Sequence, residues 1–334
     1  MNVVVISNQI STDNARIFNP VVRNTNIALK RNNVNVSVIP VDMAKYGYLA
    51  YVVLFLGLIR VRFFSKEQPE VVHVHFGGFQ SLVVNIFFRD NVVVSFHGTD
   101  LHGGSPSRLL SLVKSKLNVI ASRMSAIISA KCTVVSPSLL EYIPNSALVK
   151  TCVISTGVDF SVFSREDMSR AGCRVKLGLD NARRYILFSD ISGSGVKRRD
   201  IAESVIGDLQ NRGLNVELLV LSGVSYKLVP YYVGSSDIVL IVSDKEGSPN
   251  IVKEALAMGV PIASVDVGDV FEYISHEPSC IKLKDNNPKF ISNSLYRFLT
   301  GEEGVIDIGN WKSIISIDNI AKQYLKLYKE LARR

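Results

Sequence analysis

The feature that most limits what this chain can fold into is a repeated alternation of short β-branched apolar runs with longer helical stretches. Val3–Ile6, Val34–Ile39, Val71–Phe76 and Val92–Phe96 each have the length and apolar character of a strand buried on both faces. Helical candidates cover 17–31, 46–64, 79–89 and 108–122. Strands of that kind need helices above and below, which is βαβ logic and predicts a parallel sheet. The pattern then restarts with Tyr185–Ser189, Val216–Leu221, Asp237–Val242, Ile262–Val265 and Cys280–Leu283. Two doubly wound α/β domains in tandem follow, with 155–182 as their connector. From Trp311 to Arg334, apolar residues recur at helical spacing among Lys and Arg, as in a capping or domain-bridging helix.

Composition excludes several classes. With 334 residues and 47% hydrophobic content, the chain is long enough for two cores and too apolar to be disordered. Four cysteines without CxxC spacing do not make a disulfide scaffold and read as thiols of a reducing compartment. The net charge of +8 is unevenly placed. Residues 1–150 hold 15 Lys/Arg against 7 Asp/Glu, whereas 151–334 hold 23 of each. A basic half either faces something anionic or is simply a solubilising surface.

The start, Met1-Asn2 running into Val3–Ile6, lacks the basic leader and cleavage site of a secretory signal, so a cytoplasmic location is expected. Tyr46–Ile59 is apolar throughout but spans only 14 residues, short of the ~20 that cross a bilayer. It is either a buried helix or one lying in a membrane interface beside Arg60, Arg62, Phe63 and Phe64.

A dinucleotide-dependent oxidoreductase would carry GxGxxG after its first strand. Here that turn reads Ser7-Asn8-Gln9-Ile10-Ser11-Thr12, and the later Ser192-Gly193-Ser194-Gly195 lacks the third glycine. No P-loop is present. His73-Val-His75 and His97 would bring three imidazoles together on neighbouring strands. Further ligands for a metallohydrolase are missing, as is a DxD pair to hold a divalent ion, so no metal and no cofactor is expected.

The most informative segment is Glu246-Gly247-Ser248-Pro249-Asn250-Ile-Val-Lys-Glu254-Ala, which follows the strand ending at Val242. A loop at the carboxyl end of a strand is where open α/β sheets bind ligands, and a helix opening near Asn250 offers free amides to phosphate. Two carboxylates beside a phosphate would repel it unless they hydrogen-bond sugar hydroxyls. The plainer reading is a dipole-serving Glu and a solvated one.

Together these residues resemble glycosyltransferase family 4, retaining enzymes of the GT-B architecture. The E-x7-E element falls at Glu246 and Glu254 and continues through Ala257-Met258-Gly259-Val260-Pro261 and Val267-Gly268-Asp269. His73–Phe76, Phe96-His97-Gly98-Thr99-Asp100 and Ser155-Thr156-Gly157-Val158-Asp159 resemble further landmarks in the same order. The resemblance implies two Rossmann-like domains facing each other across a cleft. Residues 1–160 would bind the acceptor and 161–310 the nucleotide sugar, with 311–334 a C-terminal helix packing back toward the first domain. It also implies that Glu246 contacts donor-sugar hydroxyls, Glu254 the ribose, and that His97 lies beside the transferred sugar. Gly247, Ser248, Pro249 and Asn250 would shape the donor loop, and Asp100 and Asn8 would lie on the acceptor side.

The sequence departs from the family in two places. Where the family carries Gly-Arg…Lys to hold the diphosphate, Lys197 matches the lysine but Asp190 or Ile191 replaces the arginine, leaving Arg198 or Arg199 as substitutes. The glycine-rich loop after the first strand is replaced by Asn8–Arg16.

The implied reaction is metal-independent, retaining transfer from a nucleoside diphosphate sugar to a saccharide hydroxyl, in cell-surface polysaccharide or glycolipid assembly. The basic first half, the Tyr46–Phe64 stretch and the run Arg108, Lys114, Lys116, Arg123 favour a polyprenyl- or otherwise lipid-linked acceptor at an anionic membrane surface. The location expected is peripheral, on the inner face of the cell membrane. The alternatives are a nucleotide-sugar epimerase or phosphorylase of the same architecture, or a basic nucleic-acid-binding protein. The last lacks any recognisable motif, and no nucleic-acid partner is expected.

Overall fold

The computed structural model describes residues 1–8, 20–104, 109–190, 195–301 and 306–333. The chain forms two compact units, Met1–Gly157 together with Ile317–Arg334, and Val158–Ser316.

In the first unit, six parallel strands are β1 (Asn2–Ser7), β2 (Asn35–Pro40), β3 (Val71–His75), β4 (Val92–Phe96), β5 (Lys131–Val134) and β6 (Thr151–Val153), ordered β2-β1-β3-β4-β5-β6. Its main helices are α1 (Pro20–Arg31), α2 (Leu49–Ile59, continuing as a π-helical turn Arg60–Phe64), α3 (Phe79–Phe88) and α4 (Leu109–Ile128). One face of the sheet buries Val4, Ile6, Val72 and Val74 against Leu54, Leu58, Val84 and Ala126 of α2–α4. The opposite face packs Val3, Val5, Val71 and Val93 on Val22 and Leu29 of α1 and on Ile320, Tyr324 and Tyr328 near the chain's end. Both faces of these strands are therefore buried, as their unbroken apolar runs demand.

The second unit repeats the plan. Its strands are β7 (Arg184–Ser189), β8 (Val216–Leu221), β9 (Ile238–Ile241), β10 (Ile262–Ser264) and β11 (Ile281–Lys282), ordered β11-β10-β9-β7-β8. The helices used below are α5 (Arg199–Asn211), α6 (Asn250–Ala257), α7 (Val270–Ile274), α8 (Pro288–Thr300) and α9 (Ile308–Ile315). A further helix, α10 (Ile317–Ala332), returns the chain to the first unit. α5 and α8 cover one face of this sheet and α6 and α9 the other. Each sheet reverses its strand order once, between β1 and β3 and between β7 and β9. At such switch points the loops beyond the carboxyl ends part to leave a crevice.

Several elements depart from the sequence reading. The expected helix 46–64 is broken at Gly47, whose φ of 53° ends a short turn at Met43–Tyr46 before α2 begins. The expected single tail helix from Trp311 splits at Ser316, whose extended backbone pairs with Val158 in a parallel bridge. β5 and β6 were not expected: Lys131, Cys132 and Thr133 dilute the apolar run of the first, and the second is three residues at a sheet edge. α4 runs to Ile128, beyond the expected end at 122.

With the terminal helix counted where it packs, the first unit carries 20 Lys/Arg against 9 Asp/Glu and the second 18 against 21. The charge asymmetry read from the sequence is sharper in the structure.

Candidate functional site

The second unit's switch point brings Lys197 and Glu246 together. Lys197 follows β7 and Glu246 follows β9, and Lys197 Nζ donates to Glu246 Oε1 at 2.5 Å. Ser243 Oγ donates to the same oxygen at 2.7 Å, so one carboxylate oxygen is fixed from two sides. Next to this pair, Pro249 precedes α6 in an extended conformation, and Asn250 is the first helical residue. Its Oδ1 is buried without a hydrogen-bond partner, and so is Asp190 Oδ1 at the end of β7. Both are acceptors that make no hydrogen bond among the described residues.

Glu254 lies one turn into α6 and is buried. Burial pushes its carboxyl up to about 8, against the opposing pull of Lys253. It is therefore a neutral acid at neutral pH, able to donate as well as accept a hydrogen bond.

The loop carrying Gly247 and Ser248 is anchored from behind by residues the sequence reading did not single out for a role. Lys253 on α6 is only 1% exposed and pairs with Asp269 Oδ2 at 3.1 Å, itself 2% exposed. Lys253 Nζ also donates to Ser248 Oγ, which in turn donates to Asp269 Oδ2 at 2.6 Å. The ammonium lies 4.6 Å from the Tyr273 ring centroid. Burial lowers the Lys253 pKa, while Asp269 raises it. The available signal was a lysine inside the apolar face of Ile251, Val252, Ala255 and Leu256, where a charge needs a partner. Gly268 completes the anchor. Its φ is +59°, and a Cβ there would press on the carbonyl oxygen of Gly247.

Arg198 adopts a left-handed backbone (φ 59°) at the start of α5, and its guanidinium is held by Asp200 at 2.9 Å and Asp244 at 3.3 Å. Arg199 pairs with Glu203 along the helix. Neither guanidinium stands free at the switch point. Ile191 and the segment to Ser194 lie outside the described residues, as do Gln9–Arg16 of the expected replacement loop and Arg108.

At the first unit's switch point the three histidines do meet. His73 and His75 rings lie with centroids 4.0 Å apart, tilted by 35°, and His75 Nδ1 lies 3.2 Å from His97 Nε2. His73 is hydrogen-bonded by Tyr328 OH and Ser95 Oγ, each at 2.6 Å. Burial drives all three imidazoles toward the neutral form, His73 to about 3 and His97 to about 4, the latter opposed by Asp100. Among the described residues no group of three or more His, Cys, Asp or Glu is arranged to hold a metal ion.

Phe76 takes φ 67°, a strained conformation for an aromatic residue, and this turns its ring onto His97 at 4.2 Å. Asp100 accepts from the backbone amides of Gly77 (2.9 Å), His97 (3.0 Å) and Gly98 (2.8 Å), tying the loops after β3 and β4 together. Asn8 follows β1, with its Oδ1 buried and without a hydrogen-bond partner.

Residues 200–310, which hold α5 but for its first residue and the whole Glu246–Glu254 element, match the family model of glycosyl transferases group 1. Over 145 residues the chain is 32% identical to an uncharacterised glycosyltransferase of Methanocaldococcus jannaschii, covering 42% of this chain and 36% of that protein. It is 25% identical over 236 residues to TuaC of Bacillus subtilis, assigned as a teichuronic acid biosynthesis glycosyltransferase, covering 65% of this chain and 58% of TuaC. The matched regions thus span between about a third and three fifths of these relatives' lengths. The fold is similar to that of HepE from Anabaena, solved in complex with UDP and glucose. The TM-score is 0.69 at 13% identity, over 98% of this chain and 99% of HepE. The likeness to HepE shows the fold, the two-domain GT-B architecture.

Proposed function

We propose that the protein is a retaining, metal-independent glycosyltransferase that moves a sugar from a nucleoside diphosphate sugar to a hydroxyl of a lipid-linked saccharide. Its place is the assembly of cell-surface polysaccharide or glycolipid, working peripherally at the inner face of the cell membrane. The observation that carries this reading is the Lys197–Glu246–Ser243 cluster beside the opening of α6. There a cation and free helix amides suited to a diphosphate adjoin a carboxylate suited to sugar hydroxyls. The nucleotide and sugar bound by HepE, and the polysaccharide pathway of TuaC, support the donor and the product class.

In this mechanism the bond between the anomeric carbon and the phosphate oxygen breaks as negative charge grows on the leaving β-phosphate. Lys197 and the amides at the start of α6 stabilise that charge, an electrostatic contribution that is commonly the largest in catalysis. Glu246 exchanges its bonds from Lys197 and Ser243 for donor hydroxyls, and neutral Glu254 binds the ribose. The acceptor hydroxyl attacks from the face the phosphate leaves and hands its proton to that phosphate, so configuration is retained. His97, in the first unit, is held neutral by burial and stacked on Phe76.

Glu246→Ala is expected to lower transfer by at least about a hundredfold, with an unchanged melting temperature. Near-normal turnover would sink the assignment. A thermal-shift screen against nucleoside diphosphates identifies the base through selective stabilisation. An epimerase would alter the donor with no acceptor present, which separates that alternative.

A further inference from the structure

One helical layer of the first unit has an outer surface unlike that expected of a helix facing water. α2, α3 and α4 lie side by side on one face of the six-stranded sheet, burying Leu54, Leu58, Val84, Phe88 and Ala126 inward. Their outward sides are also apolar: Leu49, Leu56, Ile86, Leu117 and Met124 are all exposed, Ile86 by 71%. At the end of α2 the π-helical turn projects Phe63 and Phe64, 69% and 76% exposed. Aromatic contacts and a lysine join the layer into one surface. Phe55 of α2 meets Phe87 of α3 at 5.1 Å, and Lys114 of α4 lies 5.2 Å from the Tyr48 ring at the start of α2.

The charges on this layer have one sign. α2 with its π-helical turn, α3 and α4 contain no Asp or Glu. They carry Arg60 and Arg62 beside the two phenylalanines, and Lys114, Lys116 and Arg123 along α4, all exposed. A helix that faces water mixes acidic and basic residues and keeps its apolar side inward. Contiguous exposed apolar area of this kind marks a contact surface. An acid-free cationic rim around protruding Phe, Leu and Ile side chains selects the partner: apolar groups enter acyl chains while Lys and Arg reach anionic headgroups.

We propose that the outer face of α2, α3 and α4, led by Phe63 and Phe64, docks on a bilayer bearing anionic lipids. Among the described residues no helix is long and apolar enough to cross a membrane. α2 therefore lies along the bilayer surface. The inference deepens the lipid-linked acceptor reading by naming the surface that meets the lipid, and it is measured with no donor or acceptor present.

The test is co-sedimentation of the full chain with vesicles of phosphatidylcholine alone and with vesicles containing about one third phosphatidylglycerol. Binding should be strong only to the second and should fall at high salt. Phe63→Ser with Phe64→Ser, and separately Arg60→Glu with Arg62→Glu, should each weaken that binding about tenfold or more. Both should leave the melting temperature and its shift by nucleoside diphosphates intact. Equal binding to both vesicle types would overturn the proposal, and so would wild-type binding by both variants. A lipid-independent dimer abolished by the phenylalanine pair would do the same by assigning the face to a second copy. Loss of vesicle binding with an intact nucleotide shift defeats the docking alone. Absence of that shift in the wild type defeats the donor reading instead.

Discussion

At the scale of single residues, two neighbouring buried ionisable groups on α6, Lys253 and Glu254, behave oppositely. Lys253 is compensated by Asp269, so Lys253→Met leaves that buried carboxylate without its countercharge. This is expected to cost about 3–5 kcal/mol in urea denaturation. Lys253→Met combined with Asp269→Leu should recover much of that loss, because replacing both members of a buried pair by apolar groups is nearly neutral. If the single variant matched the wild type in stability, the anchoring role of the pair would be wrong. For Glu254 burial outweighs the opposing pull of Lys253 and raises it to about 8. The folded state therefore holds its proton more tightly than the unfolded chain, where a carboxyl titrates near its ordinary value of about 4.3. Stability from this group is complete below that value and is lost as pH rises through about 8. Glu254→Gln should thus gain on the wild type above pH 8 and equal it near pH 4, read as melting temperature across pH.

At the scale of elements, the donor loop depends on a neighbour. Gly268→Ala places a methyl group against the Gly247 carbonyl at a positive φ. It should displace the 246–249 loop, weakening nucleoside diphosphate stabilisation while β9 and α6 remain folded. Retained binding in isothermal titration would show the close approach to be unimportant. What was legible in the sequence follows the same physics. β1, β3 and β4 announce themselves because both their faces are buried and their runs are apolar. β5 and β6 do not, because polar residues interrupt one and the other is three residues at an edge. Glu246 and Glu254 are legible from spacing along one loop and one helix. The Lys253–Asp269 pair is not, since only the turn of the chain from α6 through β10 to α7 brings them into contact. The three buried imidazoles were placed together by strand alternation, whereas Tyr328 on His73 required the return of α10, 255 residues further on.

At the scale of the whole molecule, the buried groups of the two units should give opposite responses to pH. His73 and His97 titrate at about 3 and about 4 in the first unit, and His75 is likewise lowered. Unfolded histidine titrates near 6.5. Stability from these groups is present above that value and is lost as pH falls toward the folded values. Hydrogen exchange should therefore show α10 and β3 losing protection on acidification from pH 7 to 5. Over the same range α6, whose Glu254 already holds its proton in the folded state, should hold or gain protection. Parallel loss in both units would contradict the assignment. The bridge between Val158 and Ser316, with the Val158 amide donating to Ile315 at 2.9 Å, has a wider consequence. The chain leaves and re-enters the first unit through adjacent residues, so the second unit is an insert with its two ends stapled together. A polypeptide of residues 158–316 alone should fold and be stabilised by nucleoside diphosphates. The remainder, closed by a short turn, should keep its six-stranded sheet, so that the donor-binding module is exchangeable between scaffolds as a single cassette.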